Sequence, residues 1–329
     1  MLAASVILTL TACSSNDDDD GEWIVPDKRT IEDHSVTAIF ESNGIGDRSY
    51  NDIIYKGIRQ QLQDKDNCSV RNYSPLDWAE AERMIAQWFD NNEPNNIKHR
   101  LLILASSNYA EMLQSHPEWL PNDSDKILLL DTKEAMTGQW EHVYTRYISL
   151  HKQAFNAGKT VKTELNCDKV AVVKANPEVP AVAEIAQGFI EGFRDAGGTF
   201  DEKKDTYYLG KTKTEGFNDE SQLYKLSYTL NDSSYNFILP VCGGSCHGLY
   251  RYLREQYPSN ILTCGVDDDM QDHSIKVVFS LVKLSDRLIS DYLGQWLDGS
   301  EMPTHEIYEE EYSGTIVSEI FQSLIQLLR

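Results

Sequence analysis

The chain has 329 residues, and at roughly 150 residues per domain its length suggests about two domains. Asp+Glu number 52 against 30 Lys+Arg, a formal net charge of -22, which argues against a partner with a phosphate backbone. Hydrophobic residues at 41% supply a sizeable core, yet no run of 18 apolar residues occurs that would span a bilayer.

Residues 2–12 are apolar or small and uncharged, too short for a membrane span and suited to the apolar region of a signal peptide. Leu10-Thr11-Ala12-Cys13 resembles a bacterial lipobox. Cleavage before Cys13 would leave a thiol to carry a diacylglycerol, and a positively charged leader would precede residue 1. The expectation is a signal peptide and lipobox over 1–13, then an acidic tether over 14–34. Asp17 to Asp20 are four consecutive carboxylates that repel one another and stay solvated. Such a chain sits in the cell envelope, lipid-anchored through Cys13, on the periplasmic face or the cell surface.

Strand and helix signals then alternate. Val36 to Phe40 is β-rich and ends at the turn Asn43-Gly44-Ile45-Gly46-Asp47. Residues 49–62 show helical spacing through Ile53, Ile54, Gly57, Ile58 and Leu62. Cys68 to Tyr73 reads as a strand, and Asp77 as the N-cap of a helix through Phe89. Leu101 to Leu104 and Ile127 to Leu130 are apolar strands around a short helix at Tyr109 to Gln114. Val143 to Leu150 is extended and leads into a helix closed by Gly158.

The alternation restarts with the strand Val170 to Val173 and a long helix from Pro180 to Gly197-Gly198. A weak strand at Tyr207 to Leu209, a helix over 218–229 and an apolar strand at Phe237 to Val241 follow. After Gly243-Gly244 come a helix through Leu249 and Leu253, then strands at Leu262 to Val266 and Val277 to Val282. Leu288 to Leu297 is amphipathic, and Ile316 to Leu328 reads as a closing helix. This order predicts an α/β protein of two Rossmann-like lobes, each a parallel sheet covered by helices on both faces.

Several chemistries are absent by pattern. There is no GxxxxGK[ST] and no HExxH, and the eight histidines are scattered. In Gly243-Gly-Ser-Cys-His-Gly248 the serine is not centred in GxSxG. Cys246 and His247 are adjacent, and neighbours on a helix point about 100° apart. Asp267-Asp268-Asp269 lacks the glycine and later glutamate of a calcium loop. Cys242 and Cys246 read as small apolar residues at a strand end, with a disulfide as the alternative. The expectation is a protein that is not an enzyme and carries no cofactor and no metal.

Segments taken in order resemble the basic membrane protein family, the purine-nucleoside-binding lipoproteins of ABC transporters. Gly44-Ile-Gly-Asp47-Arg-Ser-Tyr50-Asn51 is similar to the family's Gly-Ile-Asp-Asp-Lys-Ser-Phe-Asn. Leu102 to Tyr109 is similar to its strand and small-residue turn, and Asp131 ends a strand as in the family. Ser149 to Gly158 resembles the helix after the first crossing, and Gly188-Phe189 with Gly192-Phe193 resembles a GFxxGF element. Gly243-Gly244, Gly265-Val266-Asp267 and Ser280-Leu-Val-Lys283 match further motifs, with Asp286 following.

The resemblance implies a type I periplasmic binding protein with a three-crossing hinge near 146, 281 and 303. The N-terminal lobe would be 35–145 and 283–303, and the C-terminal lobe 146–282 and 304–329. It implies a monomer that captures a small molecule, a purine nucleoside first, for an ABC permease, and that binds no nucleic acid. Asp267 and Lys283 would hold the ribose, Asp131 the base edge, and Tyr50 would stack on it. Asn51 would hydrogen-bond the ligand, and Gly243-Gly244 would let backbone approach it. Asp47, Ser106 and Ser107 join these because they too follow strands, where ligands of open α/β sheets sit. Where the family has a second stacking aromatic, this chain has Ile185 or Glu184. A ligand-sensing lipoprotein without a permease, and a surface lipoprotein binding a glycan or partner, are the alternative readings.

Overall fold

The structure, a computed structural model, describes residues 33–41, 44–90, 97–256, 259–319 and 321–322. Cys13, the signal peptide and nearly all of the tether lie outside the described residues. The described chain from Asp33 onward belongs to one compact unit.

In chain order the elements are β1 His34–Ile39, α1 Tyr50–Leu62, β2 Cys68–Tyr73, α2 Trp78–Asp90, β3 His99–Leu104, α3 Tyr109–Ser115, β4 Asp125–Leu130 and β5 Tyr144–Ile148. Then come α4 His151–Thr163, β6 Val170–Lys174, α5 Pro180–Asp195, α6 Glu202–Asp205, β7 Thr206–Tyr208, α7 Glu220–Asp232, β8 Phe237–Val241 and α8 Cys246–Glu255. The last are β9 Leu262–Asp267, β10 Val277–Lys283, α9 Ser285–Leu297, β11 His305–Tyr308 and β12 Ser313–Val317.

Among the described residues the strands form two six-stranded sheets, ordered β11-β5-β4-β3-β1-β2 and β12-β10-β9-β8-β6-β7. All pairings are parallel except β10 with β12. The two orders are the same order. Each lobe is a 2-1-3-4-5 sheet, one of the two common doubly wound arrangements, with one late strand added at the edge. No repeat is visible in the sequence, so the duplication is one of topology.

Both faces of each sheet are buried, which explains why the strands read as continuous apolar runs. In the first lobe Leu101 and Ile103 pack with α1 and α9 on one face, while Leu102 and Leu104 pack with α2 and α3 on the other. In the second, Val170 and Val172 face α4 and α5, and Ala171 and Val173 face α7 and α8.

The chain changes sheet after Ile148, after Lys283 and after Tyr308, each a few residues later than 146, 281 and 303. This makes a three-crossing hinge, with α4 and α9 each entering the opposite lobe from the strand before it.

Two local expectations are corrected. Ile316 and Val317 belong to β12, not to a helix, because Phe279↔Val317 and Ser280↔Ile316 are paired across the edge of the second sheet. Residues 323–329 lie outside the described chain. Gly158 does not close α4, which runs on to Thr163. A Cβ on Gly158 would lie 2.1 Å from the Phe189 carbonyl oxygen of α5, and one on Gly192 would lie 1.8 Å from the Phe155 oxygen of α4. Glycine is there because the two helix backbones touch, and that contact sets where α5 stands at the cleft.

Replacing Gly158 by Ala should therefore destabilise the protein by about 1–3 kcal/mol through overpacking. Chemical denaturation would read this as a lower midpoint with an unchanged slope. An unchanged midpoint would show that the helices can part without cost.

Candidate ligand-binding cleft

A cavity lies between the lobes, at the carboxyl ends of both sheets. Its volume is about 80 Å³. Asp47, Tyr50, Asn51, Ser106, Ser107, Asp131, Gly243, Asp267 and Lys283 all line it. Gly244 does not. A Cβ on it would lie 3.2 Å from the Asp47 carbonyl oxygen of the other lobe, so it lets the lobes approach rather than the ligand.

The cavity sits where the fold demands. In a 2-1-3-4-5 sheet the chain reverses direction between the first and third strands, and ligands bind at that crevice. Glu41 follows β1 and Ser106 follows β3 in one lobe, while Cys242 and Gly243 follow β8 in the other.

Asp131 and Asp267 stand at corresponding places, just after β4 and at the end of β9. Both have left-handed backbone, at φ 53° and 72°. That conformation costs a non-glycine residue of order 1 kcal/mol or more, and Asp tolerates it better than most.

Lys283 ends β10 at the second crossing, and only 3% of its side chain is exposed. Its ammonium donates to both carboxylate oxygens of Asp131 at 3.1 Å. Burial alone would lower its pKa, but Asp131 and Asp267 outweigh that and hold it above the ordinary lysine value. The two groups expected to grip different parts of a ligand thus also grip each other. Two of the three ammonium N–H groups are engaged, leaving one donor.

Asp267 has no hydrogen bond or ion pair to its carboxylate among the described residues. Burial pushes its pKa up to about 6, with Lys283 opposing and the carboxylates of Asp131 and Asp47 adding to the rise. Its neighbours in the acidic triplet are spent on the turn. Asp268 accepts from the Asp269 amide, and Asp269 accepts from Gln271.

The first lobe supplies a second polar group. Asp47 caps α1, accepting from the amides of Ser49 at 2.9 Å and Asn51 at 3.1 Å. Asn51 donates its side-chain amide to Asp47 at 3.0 Å and accepts from the Glu41 amide at 3.2 Å. Its role is to brace the loop. Glu41, which the sequence reading passed over, lines the cavity and accepts from the Ser106 hydroxyl and from Asn108 at 2.9 Å.

Rings and apolar side chains complete the walls. Tyr50 is half-buried, with its hydroxyl enclosed and unpartnered, and Lys283 stands 5.9 Å from its ring centroid. From the second lobe come Val179, Val182, Ile185 and Phe217. Ile185 stands where the family has an aromatic, and Phe217, which carries no motif, is the second ring on the cavity wall. It comes from the irregular segment before α7, which carries no periodic signal.

The Gly-Gly-Ser-Cys-His stretch is structural at its serine. The Ser245 hydroxyl donates to the Gly216 carbonyl at 2.8 Å and accepts from the Asp219 amide at 2.6 Å. Cys242 and Cys246 are free, buried thiols 3.6 Å apart.

This is the type I periplasmic-binding-protein fold. Neither family models nor curated protein sequences match the chain. Among solved structures it is similar to an ABC transporter solute-binding protein from Aeropyrum pernix, at 17% identity over 89% of this chain and 79% of that one, TM-score 0.70. It is similar to the transcription regulator CcpA of Lactococcus lactis, at 13% identity over 86% and 97%, TM-score 0.62. It is also similar to GanP, a glucose-galactose binding protein from Geobacillus stearothermophilus, at 12% identity over 86% and 96%, TM-score 0.56. At these identities the likeness is one of fold.

The raised pKa of Asp267 has a sign that can be tested. A carboxyl whose folded pKa lies above its ordinary 3.8 contributes stability below that value, and loses it as pH rises to about 6. Asp267→Asn should therefore melt above the ligand-free parent at pH 7, with the gap shrinking to nothing below about pH 4. Differential scanning calorimetry across that range checks it. A gap that is absent at pH 7 or constant with pH would refute the assignment.

Proposed function

We propose that this protein captures a small, neutral, hydroxyl-rich ligand between its lobes, a purine nucleoside first, and presents it to an ABC importer. The observation that carries this reading is the presence together of Asp267, a half-buried acceptor without a protein donor, and the spare N–H of Lys283 in a cavity flanked by Tyr50 and Phe217. Vicinal ribose hydroxyls can donate to such a carboxylate and accept from such an ammonium. A planar base can lie against the rings, where aromatic contact adds about 0.5–1.5 kcal/mol beyond area burial. The order of motifs resembling the basic membrane protein family supports the same ligand class.

Charge narrows the choice further. Glu41, Asp47, Asp131 and Asp267 line the cavity against one lysine, so a phosphorylated ligand meets repulsion. Function here is hinge closure. Contacts to both lobes favour the closed arrangement, and only that difference can shift the balance.

A second reading has a specific observation behind it. A fold neighbour is described as a sugar-binding protein and another as a transcription regulator, so a sugar-sensing role without a permease fits the same cleft. We extend the first reading to the N-terminus: Leu10 to Cys13 suits lipidation, and the aspartate run suits a tether from the membrane. Loss of palmitate labelling in Cys13→Ala is the expected result; retained labelling would remove the anchor.

Isothermal titration calorimetry with adenosine, guanosine, inosine, glucose and galactose tests the ligand class. At least one nucleoside should bind, its 5′-monophosphate at least about tenfold more weakly. Affinity should fall as pH drops below about 6, because protonated Asp267 no longer offers a charged acceptor. Asp267→Ala and Lys283→Ala should each weaken binding. Sugar binding with no nucleoside binding would replace the first reading by the second.

A further inference from the structure

We propose that Lys213 is a latch across the mouth of the cleft, and that it sets the balance between open and closed lobes before any ligand arrives. The proposal rests on the reading of the cleft as a closing ligand site, and it adds a residue at the rim that helps to hold it shut.

Lys213 lies in the segment 209–219, between β7 and α7 of the second lobe. That segment has no regular structure but is fixed at many points. The Glu215 carboxylate accepts from the amides of Lys211 at 2.7 Å and Thr212 at 3.2 Å. The Gly210 amide donates to the Ala175 carbonyl at 2.7 Å, and Asn176 donates to the Glu215 carbonyl at 2.9 Å. Gly216, at φ +83°, passes so close to Ala175 that a Cβ would lie 2.1 Å from its oxygen. The Lys213 amide is itself held by Glu178 at 2.9 Å. A loop pinned this way to its own lobe moves with it as a rigid piece.

Its tip reaches the other lobe. The Lys213 ammonium bonds the Glu111 carboxylate on α3 and stands 5.1 Å from the Trp78 ring centroid at the start of α2. Trp78 is itself stacked on Tyr109 at 5.7 Å, so the ring that meets the cation is held in place. The Lys213 carbonyl accepts from Asn108 at 3.4 Å.

The same pieces touch the ligand cavity from both sides. Four residues beyond Lys213 is Phe217, which lines it. Asn108, which meets Lys213, also holds Glu41, which lines it too. Latching therefore places a ring and a carboxylate together. Besides Lys283 with Asp131 inside the cavity, another ion pair joins the lobes, Lys133 with Glu184 at 2.9 Å, and it differs in kind. Its Glu184 is bonded to Ser149 in the first crossing, so it braces the hinge and does not span the mouth.

Small-angle X-ray scattering on the ligand-free protein tests this, and because no ligand is used the result is separate from the ligand assignment. Lys213→Ala and Glu111→Gln should each raise the radius of gyration at low salt, by shifting the open-to-closed ratio roughly threefold to tenfold. The charge exchange Lys213→Glu with Glu111→Lys should bring it back toward the parent value. Added salt should open the parent and leave Lys213→Ala nearly unchanged. An Ala variant with the parent's radius at both salt levels would overturn the latch, as would a charge exchange that fails to recover any compaction.

Discussion

The cleft depends on one buried cation. Lys283 is set at the end of a central strand, nearly without solvent, and it stays charged because Asp131 clasps it from the first lobe while Asp267 adds attraction from the second. A buried ion pair is a weak source of net stability, since desolvation offsets most of the attraction. Removing one partner is a different matter, because it strands charge in a dry site. The pair therefore specifies where the strand ends of both lobes converge more than it strengthens the fold. The surplus carboxylate, Asp267, is what remains for a ligand to satisfy.

The duplicated topology gives that convergence its geometry. The two sheets share one strand order, so the ends of β4 and β9 face the cleft from corresponding places. Each carries an aspartate in left-handed backbone. The helices follow the same rule: α1 packs on α9 and α5 on α4, with glycines at the contacts where backbones meet. Each lobe thus takes one of its packing helices from just beyond a crossing. Hinge and core are built from the same residues, which ties the position of the cleft walls to the packing of the lobes.

The two walls differ chemically. The first lobe brings acceptors, Glu41 and Asp131, with Ser106, Asn108 and the ring of Tyr50. The second brings Val179, Val182, Ile185 and Phe217 around Asp267 and Lys283. Such a split is what the proposed ligand, with a hydroxylated part and a flat part, would need. It also means that neither lobe alone presents a complete site.

The sequence by itself determined the α/β class, because short apolar runs such as Leu101 to Leu104 and Phe237 to Val241 alternate with segments of helical period, the order of parallel sheets buried on both faces. It also pointed to the strand ends where Asp131, Asp267 and Lys283 line the cavity, since each directly follows such a run and strand ends are where these sheets bind ligands. Only tertiary structure decided the rest. Glu41 and Asn108 carry no pattern, and they become site residues through hydrogen bonds between β1 and β3. Phe217 and Lys213 lie in an irregular segment whose shape comes from side-chain bonds that leave no periodic trace. The strands β11 and β12 are short and half exposed, so pairing with β5 and β10 makes them strands where local pattern did not. Pattern reports what a segment buries along its own length; which distant groups meet is set by packing, and the clasp of Asp131 on Lys283, 152 positions apart, is of that second kind.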